Sequence, residues 1–338
     1  MTDLYPSTPS PRKPSQPKPL PGYSGVALRR PEKYLAEPGL IDAINVSLML
    51  HQPLLVTGDP GTGKTVLAWS VAWELGLDEP LVFETKSTSQ ARELFYHYDT
   101  IGRFTGRQLG TGTGDAKDWL TYNALGTAIV LANPPEAVTD VLPQGFVHPG
   151  ARRSVVLIDE VEKAPRDFAN DILNELERMY FRIPELGNRR IEADAERLPV
   201  VIMTNNSEKS LPDAFLRRCI YYHIPLPTRR RLEDIVVGRL PDYFRGDGQA
   251  VLVLDAIDLL LRLRNEALKL EKPPATAELL NWITAMAKLG ARPDLPLAEQ
   301  REFAERAFPA LLKISGDHAR ARALLWSAEG DGSRRTVP

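Results

Sequence analysis

The chain has 338 residues, of which 43% are hydrophobic and 25% charged, and its formal net charge is -2. At about 150 residues per domain, this length predicts about two domains with a buried core. The composition excludes a chain that is disordered throughout. The near-zero charge excludes a global attraction to nucleic acid or to a membrane surface and leaves a local basic patch open.

Cysteine and histidine usage argues against a disulfide framework and a structural zinc site. Cys219 is the single cysteine, and the five histidines lie far apart in the sequence without metal-ligand spacing. Residues 1–22 lack the apolar core of a signal peptide, and the apolar stretch 250–263 is interrupted by Asp255 and Asp258. We therefore expect a soluble cytoplasmic protein without membrane insertion.

Taken in order, the chain divides into three parts: 1–22, 23–227 and 228–338. The first part holds seven of the 29 prolines and almost no large apolar residue, which predicts a disordered or polyproline-like tail. The second part alternates helical patterns with short, continuous apolar runs, which are typical of strands buried on both faces of a parallel sheet. Those runs are 53–58, 81–85, 155–160 and 199–204.

Helices are predicted between the strands and dominate the third part. A four-residue spacing of apolar side chains marks two helices in the second part, one through Leu67, Val71 and Leu75 and one through Phe168, Ile172, Leu176 and Tyr180. Past residue 227 the amphipathic stretches are 235–240, 251–270, 277–289 and 302–314. They predict a smaller helical domain over 228–338.

One segment fits the phosphate-loop pattern Gly-x-x-x-x-Gly-Lys-Ser/Thr between a predicted strand and a predicted helix. Its residues are Gly58, Asp59, Pro60, Gly61, Thr62, Gly63, Lys64 and Thr65. Glycines let backbone N–H groups turn toward phosphate oxygens, and the helix N-terminus adds the positive end of its dipole. We expect Lys64 to reach the β- and γ-phosphates and the Thr65 hydroxyl to bind Mg²⁺. The alternative is a chance glycine-rich turn.

Two further strands end in polar residues. Asp159 and Glu160 close the run at 155–160, where Asp159 is expected to hold Mg²⁺ and Glu160 to orient or deprotonate the attacking water. Asn205 and Asn206 follow the run at 199–204, and an amide there can bind both that water and the γ-phosphate. Helix-cap acids and an ordinary Asn turn are the alternatives. Because no Asn-Lys-x-Asp guanine motif occurs, we expect ATP.

The order GDPGTGKT, VVLIDE, MTNN and LPDAFLRRC resembles that of AAA+ ATPases, and the segments 159–177 and 211–218 are similar to the MoxR branch. The resemblance covers 23–227 well and the rest more loosely. It implies an α/β fold, the P-loop NTPase αβα sandwich with a C-terminal helical lid. It also implies self-association into a ring, usually a hexamer, with an arginine finger. Arg218 matches the finger, but Arg217 stands where the family usually has Asp, which leaves open which arginine acts.

Three other positions bear on the resemblance. The segment 181–198, with a Gly187–Asn188 turn, is similar to the family's hairpin, and 98–120 falls where the family has an insert in its second helix. Both usually face the ring pore and contact the substrate. Thr276 stands where MoxR lids commonly carry an arginine, so either another basic residue replaces that arginine or turnover is slow.

The function that follows is a MoxR-like ATPase that remodels or assembles a partner protein. The resemblance suggests a partner with a von Willebrand factor A (vWA) domain. One alternative is a McrB-like motor directed at nucleic acid, or the regulatory ATPase of a nuclease, in which Arg103, Arg107, Arg189 and Arg190 would grip phosphates. The other is a nucleotide-binding assembly switch with little hydrolysis.

Overall fold

The computed structural model describes residues 30–109, 115–206, 211–240, 250–265 and 270–326. The described chain divides into two compact units, one formed by Tyr34–Pro225 and the other by 226–326 together with 30–33. Each unit has its own hydrophobic core. The predicted proline-rich tail, 1–22, lies outside the described residues.

The unit Tyr34–Pro225 is built on a five-stranded parallel sheet with the strand order β2-β5-β8-β1-β9. Two antiparallel strand pairs, β3-β4 and β6-β7, accompany it. The strands of the described residues are β1 (Leu54–Gly58), β2 (Leu81–Glu84), β3 (Tyr96–Tyr98), β4 (Leu120–Tyr122), β5 (Val155–Asp159), β6 (Tyr180–Ile183), β7 (Arg189–Glu192), β8 (Val200–Asn205) and β9 (Ile220–Ile224).

Helices cover both faces of this sheet. The helices of this unit are α1 (Pro38–Leu50), α2 (Lys64–Glu74), α3 (Thr100–Leu109), α4 (Ala124–Ala132), α5 (Pro135–Val138), α6 (Arg166–Asp171), α7 (Leu173–Arg178) and α8 (Asp213–Leu216). Successive strand residues point to opposite faces. Val56 therefore packs with Leu67 of α2 in one core, whereas Leu55 packs with Ile129 of α4 in the other. This is the predicted αβα sandwich.

The register of the sheet brings the carboxyl ends of its strands together. Ile158 of β5 is paired with Met203 of β8, so Asp159 and Thr204 follow side by side. On the other side of β5, Glu84 of β2 is paired with Asp159. Polar residues from three distant parts of the sequence therefore meet at one edge of the sheet, where open α/β sheets bind their ligands.

The helix predicted through Tyr180 is wrong in its last turn. Helical structure stops at Met179, whose φ of 45° lies in the left-handed region, and Tyr180 opens β6. The next residue, Phe181, is buried and stacks on Phe95, so burial as a strand outweighs the helical spacing. The turn before β7 contains Gly187 and Asn188, both with positive φ.

The second unit is helical over its described residues. Its helices are α9 (Arg229–Arg239), α10 (Val251–Leu263), α11 (Thr276–Leu289), α12 (Arg301–Arg306), α13 (Phe308–Leu311) and α14 (Ser315–Trp326). The core forms around Trp282, whose Nε1 donates to the carbonyl of Ala304 at 3.1 Å. Thr276 is the first residue of α11 and is buried. Across the described ranges, no helix is both long and apolar enough to traverse a bilayer.

Candidate active site

The loop between β1 and α2 has the backbone that its glycines permit. Gly58, Gly61 and Gly63 have φ values of 143°, 81° and 93°, a region that residues with a Cβ rarely adopt. Gly58 is also required by space, because a Cβ there would lie 2.6 Å from the carbonyl oxygen of Ile224 in β9. The Thr62 hydroxyl donates to the Asp59 carbonyl at 2.8 Å and closes the turn. Asp59, Pro60 and Gly61 form its exposed tip.

Lys64 begins α2 and folds back onto the loop that precedes it. Its Nζ donates to the carbonyl of Gly58 at 2.7 Å and to that of Asp59 at 2.9 Å. Lys64 is only 6% exposed. Burial lowers the pKa of Lys64, and the surrounding carboxylates, Glu162 foremost, oppose that shift. The ammonium group is therefore held inside the loop by neutral carbonyls, which a phosphate oxygen is able to replace.

Thr65 and Asp159, the two expected Mg²⁺ ligands, are in contact. The Thr65 hydroxyl donates to the Asp159 carboxylate, 3.2 Å from Oδ1 and 3.3 Å from Oδ2. The two residues are 94 positions apart in the chain, and only the parallel sheet brings them together. One hydroxyl and one carboxylate form a set of hard oxygen ligands, which Mg²⁺ prefers when it keeps several of its waters.

The hydroxyl of Thr204 fixes the acidic end of β5 from the neighbouring strand. It donates to Asp159 Oδ1 and accepts the backbone N–H of Glu160 at 2.9 Å. From the opposite side, Thr85, directly after β2, donates its N–H to the Asp159 carbonyl at 3.1 Å and its hydroxyl to the same carbonyl at 2.9 Å. Sequence reasoning did not assign Thr85 and Thr204. The available signal was that each polar residue ends an apolar run.

Glu160 leaves the strand in a left-handed conformation, with φ 56° and ψ 52°. This conformation turns the chain out of the sheet at the residue expected to orient water. The Glu160 carboxylate forms an ion pair with Lys163 of the following turn, and this hydrogen bond raises the pKa of the Lys163 ammonium.

The two asparagines after β8 lie in different environments. Asn205 is buried and lines a cavity of about 240 Å³ together with Leu55, Thr57 and Tyr221. Asn206 instead donates from Nδ2 to Glu162 Oε1 at 2.5 Å, beside the acidic end of β5. The structure therefore brings Asn206 to the turn that carries Glu160. Glu162 is a third acid of this edge that sequence reasoning did not single out.

Arg217 and Arg218 follow α8. Arg217 is exposed. Arg218 donates from Nε to Glu177 at 3.2 Å and from a terminal nitrogen to the Ala214 carbonyl at 3.2 Å. These bonds hold the guanidinium of Arg218 on the outside of its unit.

Comparison with known proteins shows what the segment that holds these residues is similar to. Residues 53–219 match the AAA domain of the dynein-related subfamily. The chain is 28% identical over 197 residues to CD-NTase-associated protein 6 of Pseudomonas aeruginosa, which covers 57% of this chain and 54% of that protein. It is 29% identical over 170 residues to the ATP-dependent zinc metalloprotease FtsH of Nitrosococcus oceani. That alignment covers 41% of this chain and 26% of the metalloprotease.

The chain thus spans about half of the first of these relatives and about a quarter of the second. Among solved structures, a mutant RuvB of Thermotoga maritima aligns with 89% of this chain and 81% of its own, at a TM-score of 0.46 and 12% identity. The matched segment, 53–219, contains the glycine loop, the acidic end of β5 and the arginine pair, on the parallel sheet described above. This segment has the α/β fold of an AAA+ core.

Proposed function

We propose that this protein hydrolyses ATP with Mg²⁺ and uses the resulting change of shape to remodel or assemble a partner protein, as a MoxR-type ATPase. The observation that carries the proposal is the contact between Thr65 and Asp159 at the mouth of the glycine loop. It joins a phosphate-binding loop to an acidic strand end, as phosphoryl transfer requires. The name of the FtsH relative, which describes it as ATP-dependent, supports ATP as the nucleotide.

The residues present fit this ligand. Gly58–Thr65 would cradle the phosphates, Lys64 would exchange loop carbonyls for phosphate oxygens, and Thr65 and Asp159 would hold Mg²⁺. The metal, when bound, would supply positive charge at the phosphate oxygens. Glu160 would take a proton from the attacking water, and Asn206 would orient that water. Thr85 and Thr204 would keep the Asp159–Glu160 backbone in place.

A protein partner is favoured over nucleic acid by the arginines of the two inserts. Arg103 donates to the Tyr98 hydroxyl, Arg189 is paired with Asp140, and Arg190 is paired with Glu192. The two ion pairs offset the charges of Arg189 and Arg190, which therefore add little to phosphate binding, whereas Arg103 keeps its charge. On α3, in contrast, the exposed fractions of Ile101, Phe104 and Leu109 are 80%, 64% and 70%. Such an apolar face suits a polypeptide better than a nucleic-acid backbone.

The ring, its hexameric form and the vWA-domain partner belong to the same proposal. The exposed Arg217 and the outward-held Arg218 support it, because an arginine finger must reach the nucleotide of a neighbouring subunit.

A second candidate is a nucleotide-dependent assembly switch with little hydrolysis. The ion pair between Lys163 and Glu160 favours it, since a carboxylate held by a neighbouring ammonium is less available to an attacking water. Thr276, at the position of the lid arginine, points the same way.

One measurement separates the two candidates: steady-state ATP turnover of the wild type and of Glu160→Gln, with and without Mg²⁺. The motor proposal expects turnover to require Mg²⁺ and to fall about 100-fold or more in Glu160→Gln, the usual contribution of a general base. Glu175→Gln, the same substitution on α7, is the control. Wild-type turnover no faster than that of Glu160→Gln, with ATP bound, would leave the switch as the function.

A further inference from the structure

The two carboxylate oxygens of Glu162 differ in their hydrogen bonding. It lies in the turn Val161–Lys163, directly after Asp159 and Glu160. Its Oε1 accepts from Asn206 Nδ2 at 2.5 Å. Its Oε2 is buried, and no hydrogen-bond partner is found for it among the described residues. Buried polar atoms without a partner are costly and rare in folded proteins.

The chemistry of the pair fixes which way the Asn206 amide points. An ionised carboxylate only accepts hydrogen bonds, whereas an amide presents a donor on one side and an acceptor on the other. The amide must therefore turn its nitrogen toward Glu162, because the reversed rotamer would set Asn206 Oδ1 against Oε1. The Oδ1 atom and the second N–H of Asn206 are consequently held in fixed directions.

Orientation matters at this residue because the two faces of the amide have different uses. Its carbonyl oxygen can accept a hydrogen from an attacking water, whereas its free N–H can donate to a phosphate oxygen. A neutral partner at residue 162 would permit both rotamers, and one of the two would point the wrong group at the water. Glu162 is also the foremost of the carboxylates that oppose the lowering of the Lys64 pKa by burial.

We propose that Glu162 is a positioning residue for ATP hydrolysis, acting through Asn206 by fixing the orientation of its amide. The inference rests on the proposed ATPase function and adds to it the residue that sets the water-orienting group.

The test compares Glu162→Gln with Glu175→Gln, a matched control. Glu175 also has a buried Oε2 without a hydrogen-bond partner in the described chain, but it lies on α7. The glutamine of the first variant would keep the size of the side chain and allow both amide rotamers of Asn206. We expect kcat to fall about 10-fold, with KM for ATP changed less than about twofold, because the amide acts on the transition state rather than on binding. Glu175→Gln should change neither constant.

A double-mutant cycle tests whether Glu162 acts through Asn206. In an Asn206→Ala background, adding Glu162→Gln should lower kcat by less than about twofold, since coupled residues are not additive. A second readout needs no nucleotide. The side-chain amide resonances of Asn206, identified by their absence in Asn206→Ala, should shift in Glu162→Gln and stay in place in Glu175→Gln.

The outcomes are distinguishable. Absence of turnover in a wild type that binds ATP would overturn the proposed function and this inference together. Wild-type turnover with an unchanged kcat in Glu162→Gln, or a change confined to KM, would overturn the inference alone, as would an additive cycle. If Glu162→Gln does not fold, judged by its thermal unfolding, Glu162→Asp replaces it. That variant withdraws the acceptor by one methylene and should show the same loss.

Discussion

The glycine-loop edge of the sheet and the arginine segment after α8 differ in how much of their structure one chain completes. At the loop edge, Lys64, Thr65, Asp159 and Thr204 are bonded to one another or to the backbone beside them. After α8, Arg217 is exposed and Arg218 is held on the outside by Glu177. The difference teaches that one chain can complete the groups at its loop edge while it presents a further charged group outward.

The largest effect on turnover is expected for the arginine segment after α8. Arg218→Ala should lower kcat about 1000-fold, the lower end of the contribution of an arginine finger, and Arg217→Ala less than about 10-fold. The structural reason is that Glu177 and the Ala214 carbonyl orient Arg218. Steady-state ATP turnover measures both variants, and the reverse ranking would give the role to Arg217.

An experiment that mixes two variants tests the same contrast between the loop edge and the arginine segment. Subunits carrying Arg218→Ala and subunits carrying Lys64→Ala should each be inactive alone and regain part of the turnover when combined, because the finger and the loop then come from different chains. No recovery in a mixture that forms the same oligomer would mean that both groups serve one chain.

The second effect is on binding. Lys64→Ala should raise the Kd for ATP about 100-fold, or about 2.7 kcal/mol, because the buried ammonium can no longer exchange loop carbonyls for phosphate. Calorimetric titration with ATP measures the change. Lys288→Ala, an exposed lysine of α11, is the control and should bind as the wild type does. Tight binding by Lys64→Ala would contradict the role given to the loop.

The third effect tests the hydrogen bonds that join the residues of the loop edge. Thr204→Val keeps the shape of the side chain and removes the hydroxyl that bonds Asp159 and Glu160. Unfolding free energy should fall by about 2 kcal/mol, since a buried N–H loses its partner. Turnover should fall about 10-fold, because the same hydroxyl holds Asp159 and Glu160 in the positions that the reaction needs. Thr204→Ser should retain most of both quantities in denaturant titration and ATPase assay.

The smallest effect on turnover is expected at Cys219, which follows the arginines but is half-buried. Burial raises the pKa of its thiol to about 12, and its Sγ donates to the Phe215 carbonyl at 3.3 Å. The thiol therefore stays protonated at about pH 8, and labelling by a disulfide reagent should be at least about 100-fold slower than in the unfolded chain. Cys219→Ala should change kcat less than about twofold. Fast labelling of the native protein would contradict this prediction and would mean that the Cys219 thiol is exposed, as Arg217 is.

Local signals in the sequence sufficed for the glycine loop and the strands that flank it. The runs at 53–58, 155–160 and 199–204 agree with β1, β5 and β8 to within one residue at each end. The loop could be predicted because glycine, lysine and threonine occur at fixed offsets over eight residues. The prediction of an AAA+ core of the αβα class follows from the order of these segments and is confirmed.

Contacts that depend on register could not be predicted in this way. Thr85 and Thr204 bond to the acidic end of β5 from two other segments, and Asn206 after β8 bonds to Glu162 after β5. These contacts require the strand order β2-β5-β8. No local pattern in the sequence indicates which strands are neighbours in the sheet. The helical spacing that ended on Tyr180 failed for a related reason: burial of Phe181 against Phe95 decides the structure there. Which of two adjacent arginines is bonded to Glu177 likewise depends on side-chain geometry.

The close approach at Gly58 has a mechanical consequence. With 2.6 Å between an added Cβ and the Ile224 carbonyl, the start of the glycine loop lies against the last residue of β9 without slack. Ile224 is followed by Pro225, where this unit ends, and the chain then continues into the helical one. A displacement of the loop toward β9 would therefore press on the end of that strand. The backbone itself would transmit such a push from the nucleotide loop to the point where the second unit begins.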